Sequence, residues 1–350
     1  MSAGAGDLKA ALARLVERQD LSADEMAAVV GRIMDGEATP AQVGALLTAL
    51  RMKGETVDEV VGAARAMRAR MVRPPVVEGS QVFVDLCGTG GDGSGSVNVS
   101  TIASFVVAGC GVKVAKHGNR AMSSKAGSHD LLEALDLDPA VGPELAARCL
   151  DEAQLCFMFA PAYHSATRHA VGPRREVGFR TVFNLLGPLT NPAGARFHIN
   201  GVFSPERCEL LARAHGALGS QRAMVLHGAG GLDELAPAGA TRVAELRDGK
   251  VRSYEVRPAD FGLDEVDPAG LRGGEAADNA RLALETLGGA RGAIRTATLM
   301  TAAAALYLTG NADDLRAAAV RAARAVDEGA ALAVLERLRG IAPRPRQGSA

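Results

Sequence analysis

The stretch VFVDLCGTGGDGSGSVNVS, residues 82–100, decides the fold. Residues 82–87 form a short apolar run, the pattern of a strand buried on both faces. Five of the next eight residues are glycine, which lets main-chain N–H groups approach an anion closely. Residues 100–108 then read as a helix. A strand, a glycine-rich turn and a helix in that order open an α/β unit. The first turn of the helix adds partial positive charge where the glycine loop ends. The arrangement suits a phosphate or diphosphate. A tight structural turn is the plain alternative. The loop lacks the Gly-Lys-Ser/Thr ending of a nucleotide-binding P-loop and the acid that follows a dinucleotide fingerprint. Asn98, Ser100 and Thr101 stand at the helix start, and one of them is expected to cap it.

Further along the chain, residues 112–115, 156–159, 199–203 and 224–226 read as strands, with helices between several of them. This alternation predicts an α/β fold with a mostly parallel central sheet. Asp248-Gly249 marks a hairpin, which adds an antiparallel element. Residues 278–338 are helical and alanine-rich. Upstream, residues 1–73 read as helices only. Ser22 with Glu25 and Thr56 with Glu59 form capping boxes, and Thr39-Pro40 pairs an N-cap with a first-turn proline. Pro74-Pro75 ends this unit. Residues 166–195 carry three prolines and few strand signals, and are expected to pack back onto the N-terminal helices. The predicted organisation is a small helical lobe, residues 1–75 with the returning segment 166–195, and a larger α/β lobe, residues 76–345. The tail 343–350 is expected to fray.

A second polar cluster follows the strand at 112–115. Lys116, His117, Gly118, Asn119 and Arg120 are read as a loop, with Ser123, Ser124, Lys125 and Ser128 close behind. Lys116 offers a point charge to a diphosphate, and Ser128 opens the next helix. The alternative is a solvated surface loop. Asp233-Glu234 follows a strand and a glycine-rich turn. Neighbouring carboxylates there suit magnesium, which prefers oxygen ligands, or else serve a helix N-terminus. Arg174, next to Arg175, can grip a carboxylate through paired hydrogen bonds. By itself the Arg-Arg pair reads as a solvated helix face.

Composition narrows the functional classes. Of 350 residues, 47% are hydrophobic and 23% charged, and the formal net charge is -1. No overall basic field points to nucleic acid, and the 3% aromatic share with no Trp leaves few base-stacking platforms. Cys87, Cys110, Cys149, Cys156 and Cys208 are scattered without a CxxC pair, which suits reduced thiols in a cytoplasm. The first residues are interrupted by charges, unlike a signal peptide. The apolar run at 297–308 is too short to span a membrane.

Taken together, GTGGDG (88–93) to NVST (98–101) and KHGNR (116–120) to Gly127-Ser128 resemble the anthranilate phosphoribosyltransferase family. The resemblance continues through FAP (159–161) with His164, RTVFNLLGPLTNP (180–192), residues 228–235, and KGET (53–56) to Arg68. It covers nearly the whole chain in the family's order. It implies transfer of the phosphoribosyl group of 5-phosphoribosyl 1-diphosphate to anthranilate, the second step of tryptophan synthesis. Two magnesium ions per subunit and a homodimer are also implied. On this resemblance the donor site comprises Gly88, Gly91, Asp92, Ser96, Asn98, Val99, Ser100, Thr101, Lys116, His117, Gly118, Asn119, Arg120, Ser123, Ser124 and Ser128. Ser100, Asp233 and Glu234 hold the metal. Arg174, with Gly88 and Asn119 nearby, holds anthranilate, and His164 lines its path or is simply packed in the core. Lys116 acts electrostatically, and no residue is assigned as acid, base or covalent nucleophile. The chain departs from the family pattern at His129, usually alanine, Asp136, commonly glycine, Thr301, usually asparagine, and Pro173, where valine is common. His129 adjoins Ser128 and so bears on affinity and pH response. The runner-up is a pyrimidine nucleoside phosphorylase, which shares the fold.

Overall fold

The computed structural model describes residues 7–75, 82–120 and 125–344. Four helices come first: α1 (Leu8–Val16), α2 (Ala23–Met34), α3 (Pro40–Lys53) and α4 (Val57–Arg68). Capping boxes at Ser22, Thr39 and Thr56 start the last three. Glu59 does more than cap. Its buried carboxylate accepts from Thr56 N at 2.9 Å, Leu21 N at 3.1 Å and Lys53 Nζ at 3.0 Å. It thereby ties the loop before α2 to the end of α3. Gly62 lets α4 lie directly on α2, because a Cβ there would sit 2.3 Å from Ala23 O.

The rest of the chain alternates strands and helices as far as β5. In order come β1 (Phe83–Leu86), α5 (Val99–Gly109), β2 (Lys113–Gly118), α6 (Ser128–Ala134), α7 (Pro143–Glu152) and β3 (Leu155–Phe159). Then follow α8 (Ala160–Tyr163), α9 (Arg168–Val177), α10 (Phe183–Leu186), β4 (Phe197–Gly201), α11 (Glu206–Ala217) and β5 (Arg222–Gly228). A hairpin of β6 (Thr241–Arg247) and β7 (Lys250–Val256) precedes α12 (Ala276–Leu287), α13 (Ala293–Leu308), α14 (Leu315–Asp327) and α15 (Ala330–Ile341). The strands form one sheet in the order β3-β2-β1-β4-β5-β6-β7. β1 to β5 pair in parallel, and β6 and β7 are antiparallel. The hairpin turns at Asp248 (φ 50°) and Gly249 (φ 73°), as the Asp-Gly pair predicts. β7 is an outer strand, and Lys250, Arg252, Ser253 and Glu255 on it are exposed.

Strand order reverses between β1 and β4. The loops leaving their C-terminal ends therefore diverge to opposite faces and leave a crevice, the usual ligand position in open α/β sheets. Nearly all of α5 is buried, packed against α13 and α15, so the helix that starts at this crevice is rigidly held. The returning segment lies on the N-terminal helices: α9 packs on α3 and α2, and α10 on α4. Ala170, Val182, Leu185 and Leu186 share one apolar core with the first four helices.

Two expectations need correction. β2 runs through Gly118, so Lys116, His117 and Gly118 belong to a strand and not to the loop after it. Their polar side chains find partners inside the protein, which lets the strand continue. The tail is also pinned at its start: Pro343 bridges Leu137, and Arg344 N donates to Asp136 O at 3.0 Å. The tail beyond Arg344 lies outside the described residues. All five cysteines are buried free thiols. Among the described residues no helix is long and apolar enough to cross a membrane.

Candidate active site

The loop after β1 is anchored at both ends. Thr89 N donates to Gly201 O at 2.8 Å, at the end of β4, and Val97 N donates to Leu271 O at 2.9 Å. Between them Gly90 (φ 64°) and Gly91 (φ 77°) are left-handed, a conformation that side chains disfavour. Asp92 Oδ1 accepts from Ser94 N at 3.0 Å, and Ser94 Oγ lies 3.1 Å from Ser96 Oγ. Asn98 Nδ2 donates to Ala126 O at 3.2 Å, and Asn98 Oδ1 accepts from Asn279 Nδ2 at 3.3 Å. This residue links the first loop to the second.

None of Asn98, Ser100 and Thr101 caps α5 with its side chain, contrary to expectation. Glu234 fills that role from far along the sequence. Its Oε1 accepts from Ser100 N at 3.1 Å. The acidic pair therefore sits at a helix N-terminus and beside the glycine loop together. Asp233 N donates to Asp92 Oδ2 at 3.2 Å. A Cβ on Gly88 would lie 3.4 Å from Asp233 Oδ2, and one on Gly201 only 1.5 Å from Asp233 O. Absence of side chains at both glycines makes room for the pair.

Lys116 reaches the same place from β2. Its buried ammonium donates to Leu86 O and to Ser100 Oγ, the latter at 3.3 Å. Lys116, Ser100 and Glu234 thus form one contiguous polar group. Burial, then the charge of Asp92 and then that of Glu234, hold the Asp233 carboxyl well above the usual range. Burial raises Glu234 to about 7, opposed chiefly by Lys116. Three carboxylates with one ammonium beside them leave negative charge uncompensated. A divalent cation with a preference for oxygen ligands fits these donors.

Around this centre, Gly118 and Ser128 touch closely: a Cβ on Gly118 would meet Ser128 Oγ at 2.5 Å. Ser128 Oγ donates to Asn119 O at 3.0 Å, and Asn119 Oδ1 accepts from Arg120 N at 2.8 Å. Asn119 and Arg120 are exposed; Val99 and Thr101 are buried, and Thr101 Oγ1 has no partner among the described residues. Ser123 and Ser124 lie outside the described residues. His117 does not face the glycine loop through its ring. Its Nδ1 lies 3.0 Å from Gly187 O in the returning segment, and its ring 5.0 Å from that of His164. Burial lowers His117 to about 4 and His164 to about 3.

Arg174 stands half-buried on α9 with its guanidinium 5.2 Å from the Phe183 ring centre. Among the described residues it forms no ion pair, so its fork remains available to an outside carboxylate. Arg180, given no role from sequence, donates to Gly91 O and stacks on Phe203 at 4.4 Å. Asn279 was also missed, because a polar residue in an alanine-rich helix gives no sign of its partner 181 positions earlier. His129 turns inward, its ring 4.3 Å from Phe159, and burial lowers its pKa. Asp136 occupies a left-handed position (φ 61°), which explains the glycine common there. Thr301 Oγ1 is buried without a partner among the described residues, and Pro173 lies inside α9.

The glycosyl transferase family α/β domain matches residues 80–332, and its helical bundle domain residues 9–71. A curated anthranilate phosphoribosyltransferase from Moorella thermoacetica is 51% identical over 94% of this chain and 96% of its own length. One from Myxococcus xanthus is 52% identical over 93% and 96%. The chain belongs to the anthranilate phosphoribosyltransferase family. The crystal structure of the anthranilate phosphoribosyltransferase from Thermus thermophilus superposes with a TM-score of 0.89 at 41% identity, covering 95% of this chain and 98% of that one. The Saccharomyces cerevisiae anthranilate phosphoribosyltransferase, solved with PRPP and Mg, gives 0.83 at 28%, covering 95% and 97%. Family membership accounts for the helical lobe and for the mostly parallel sheet.

Proposed function

We infer that this chain joins anthranilate to 5-phosphoribosyl 1-diphosphate, giving N-(5-phosphoribosyl)anthranilate and diphosphate in tryptophan biosynthesis. One observation carries the reading: the glycine loop, Lys116 and the Asp233-Glu234 pair meet at one place. Curated relatives near 50% identity bear the same activity in their names. They do not favour the nucleoside phosphorylase alternative.

In this reading the amine nitrogen of anthranilate bonds to the anomeric carbon as the carbon–oxygen bond to diphosphate breaks. The nitrogen then gives up a proton. The developing charge is negative on the leaving group, and Lys116 with the main-chain amides of Gly91 and Gly93 would stabilise it. Ser100, Asp233 and Glu234 would hold two magnesium ions, which supply further positive charge to the diphosphate. Gly88, Gly91, Asp92, Ser96, Asn98, Val99, Thr101, His117, Gly118, Asn119, Arg120, Ser123, Ser124 and Ser128 complete the donor site. Arg174 holds the carboxylate of anthranilate beside Gly88 and Asn119. Fixing both partners removes most of the entropic cost of their encounter. The lobes comprise residues 1–75 with 166–195, and 76–345. The enzyme works as a cytoplasmic homodimer.

The decisive measurement is loss of anthranilate fluorescence, with donor and magnesium each present or absent. Loss is expected only with both. Phosphorolysis of a pyrimidine nucleoside, with no consumption of anthranilate, would overturn the reading.

A further inference from the structure

We propose that Asp85 is a positioning residue, whose carboxylate bolts the returning segment at Asn191 to the end of β2 that bears Lys116. β1 reads Phe-Val-Asp-Leu and all four residues are buried. An acid in the middle of a buried parallel strand is costly unless it is satisfied. Burial pushes this one up to about 6, with Lys116 opposing.

Both of its oxygens are used. Oδ1 accepts from His117 N at 3.0 Å. The β1–β2 register covers Phe83 with Lys113 and Val84 with Val114, and beyond it the carboxylate, not a β1 carbonyl, takes the next strand's amide. That amide belongs to the residue after Lys116, so the bond fixes the root of the lysine. Oδ2 accepts from Asn191 Nδ2 at 2.8 Å, which also donates to Ala115 O at 2.8 Å. Asn191 Oδ1 in turn accepts from Ala193 N at 3.0 Å and Ala195 N at 3.4 Å. A second link runs beside this one, from His117 Nδ1 to Gly187 O at 3.0 Å. Gly187 follows α10, whose Phe183 lies under the Arg174 guanidinium. Two links therefore tie the strand that bears Lys116 to the returning segment, one from Asp85 to Asn191 and one from His117 to Gly187, and the second leads through α10 to Arg174. The two ends are the proposed contacts to the donor and to the acceptor, so this inference rests on the site reading above.

Asp85→Asn keeps the size of the side chain but turns an NH2 toward either the NH2 of Asn191 or the N–H of His117. It is expected to raise KM for both substrates at least fivefold. Arg174→Ala is expected to raise only that for anthranilate, and Lys116→Ala mainly that for the donor. The exchange Asp85→Asn with Asn191→Asp restores a donor facing an acceptor, although Ala115 O loses its partner. It is expected to recover at least half of the lost kcat/KM on a logarithmic scale. A purely architectural role would lower the melting temperature and leave both KM values alone. Should Asp85→Asn not fold, Asn191→Ser, which leaves Asp85 its bond to His117 and its lysine, is expected to give the same paired rise. Folded Asp85→Asn or Asn191→Ser protein with both KM values within twofold of wild type overturns the inference. So does an exchange variant no better than the worse single one. If Arg174→Ala and Lys116→Ala also leave their own substrates unaffected, the site reading fails with it. If they act as expected, only the role of Asp85 fails.

Discussion

Replacing Gly201 by alanine puts a methyl group 1.5 Å from Asp233 O and 2.4 Å from its carbonyl carbon. Both are main-chain atoms, so no side-chain rotation relieves the contact. Reaching 3.0 Å, the closest separation such pairs show, requires a shift of about 1.5 Å. The shift falls on either the acidic pair or the end of β4, which also accepts Thr89 N at 2.8 Å. Bonds of 3.1 Å from Ser100 N to Glu234 and 3.2 Å from Asp233 N to Asp92 cannot survive the displacement of the pair. Overpacking of this kind costs about 1–3 kcal/mol of stability. A misplacement of about 1 Å at a reacting centre costs roughly 100-fold in rate. Gly201→Ala should therefore fold, lose about 100-fold or more in kcat/KM, and need more magnesium for half-maximal rate. Anthranilate fluorescence over a magnesium titration reads the last two, and urea unfolding the first. Gly340→Ala is the control: that glycine is exposed on α15 with nothing near its Cβ position, so the same replacement should stabilise by about 0.5–1 kcal/mol. Wild-type kcat/KM and magnesium dependence in Gly201→Ala would refute the packing argument.

Four other outcomes can be checked. Asp233→Asn with Glu234→Gln should abolish turnover at any magnesium level while far-ultraviolet circular dichroism stays native. Arg174→Ala should raise KM for anthranilate at least tenfold, as expected for loss of a charged pair worth about 1.5–3 kcal/mol, with a much smaller change for the donor. His198 is fully buried, and burial followed by the charge of Arg68 lowers it to about 3. Its unfolded form takes up a proton first as pH falls, so its contribution to stability is complete above about 6.5 and is lost toward pH 3. His198→Phe should flatten the acid limb of unfolding free energy against pH by up to about 1.4 kcal/mol per unit. Asp136→Gly removes the strain of a left-handed aspartate and should raise stability by about 0.5–1 kcal/mol in chemical denaturation.

Local chemistry was legible wherever it acts over a few residues. The capping boxes at Ser22 and Thr56, the N-cap at Thr39, the Asp248-Gly249 hairpin and the glycine loop after β1 all follow from neighbours in sequence. What could not be read depends on partners far along the chain. Lys116 and His117 look like loop residues until their acceptors, Leu86 O and Gly187 O, are brought alongside. The cap of α5 comes from Glu234, which no pattern near Asn98 reveals. Asp85 passes unnoticed in an apolar run because its two donors sit 32 and 106 residues away. The short helices α8 and α10 fall among prolines, where periodicity has too few residues to show itself.

The outer strand β7 bears on how copies of this chain meet. An unpaired row of amides and carbonyls is a template on which a second chain can add a strand. On β7 that row is flanked by exposed Lys250, Arg252 and Glu255, which a continuous intermolecular sheet would have to strip of water. Growth by sheet extension along β7 is thereby discouraged even at high concentration.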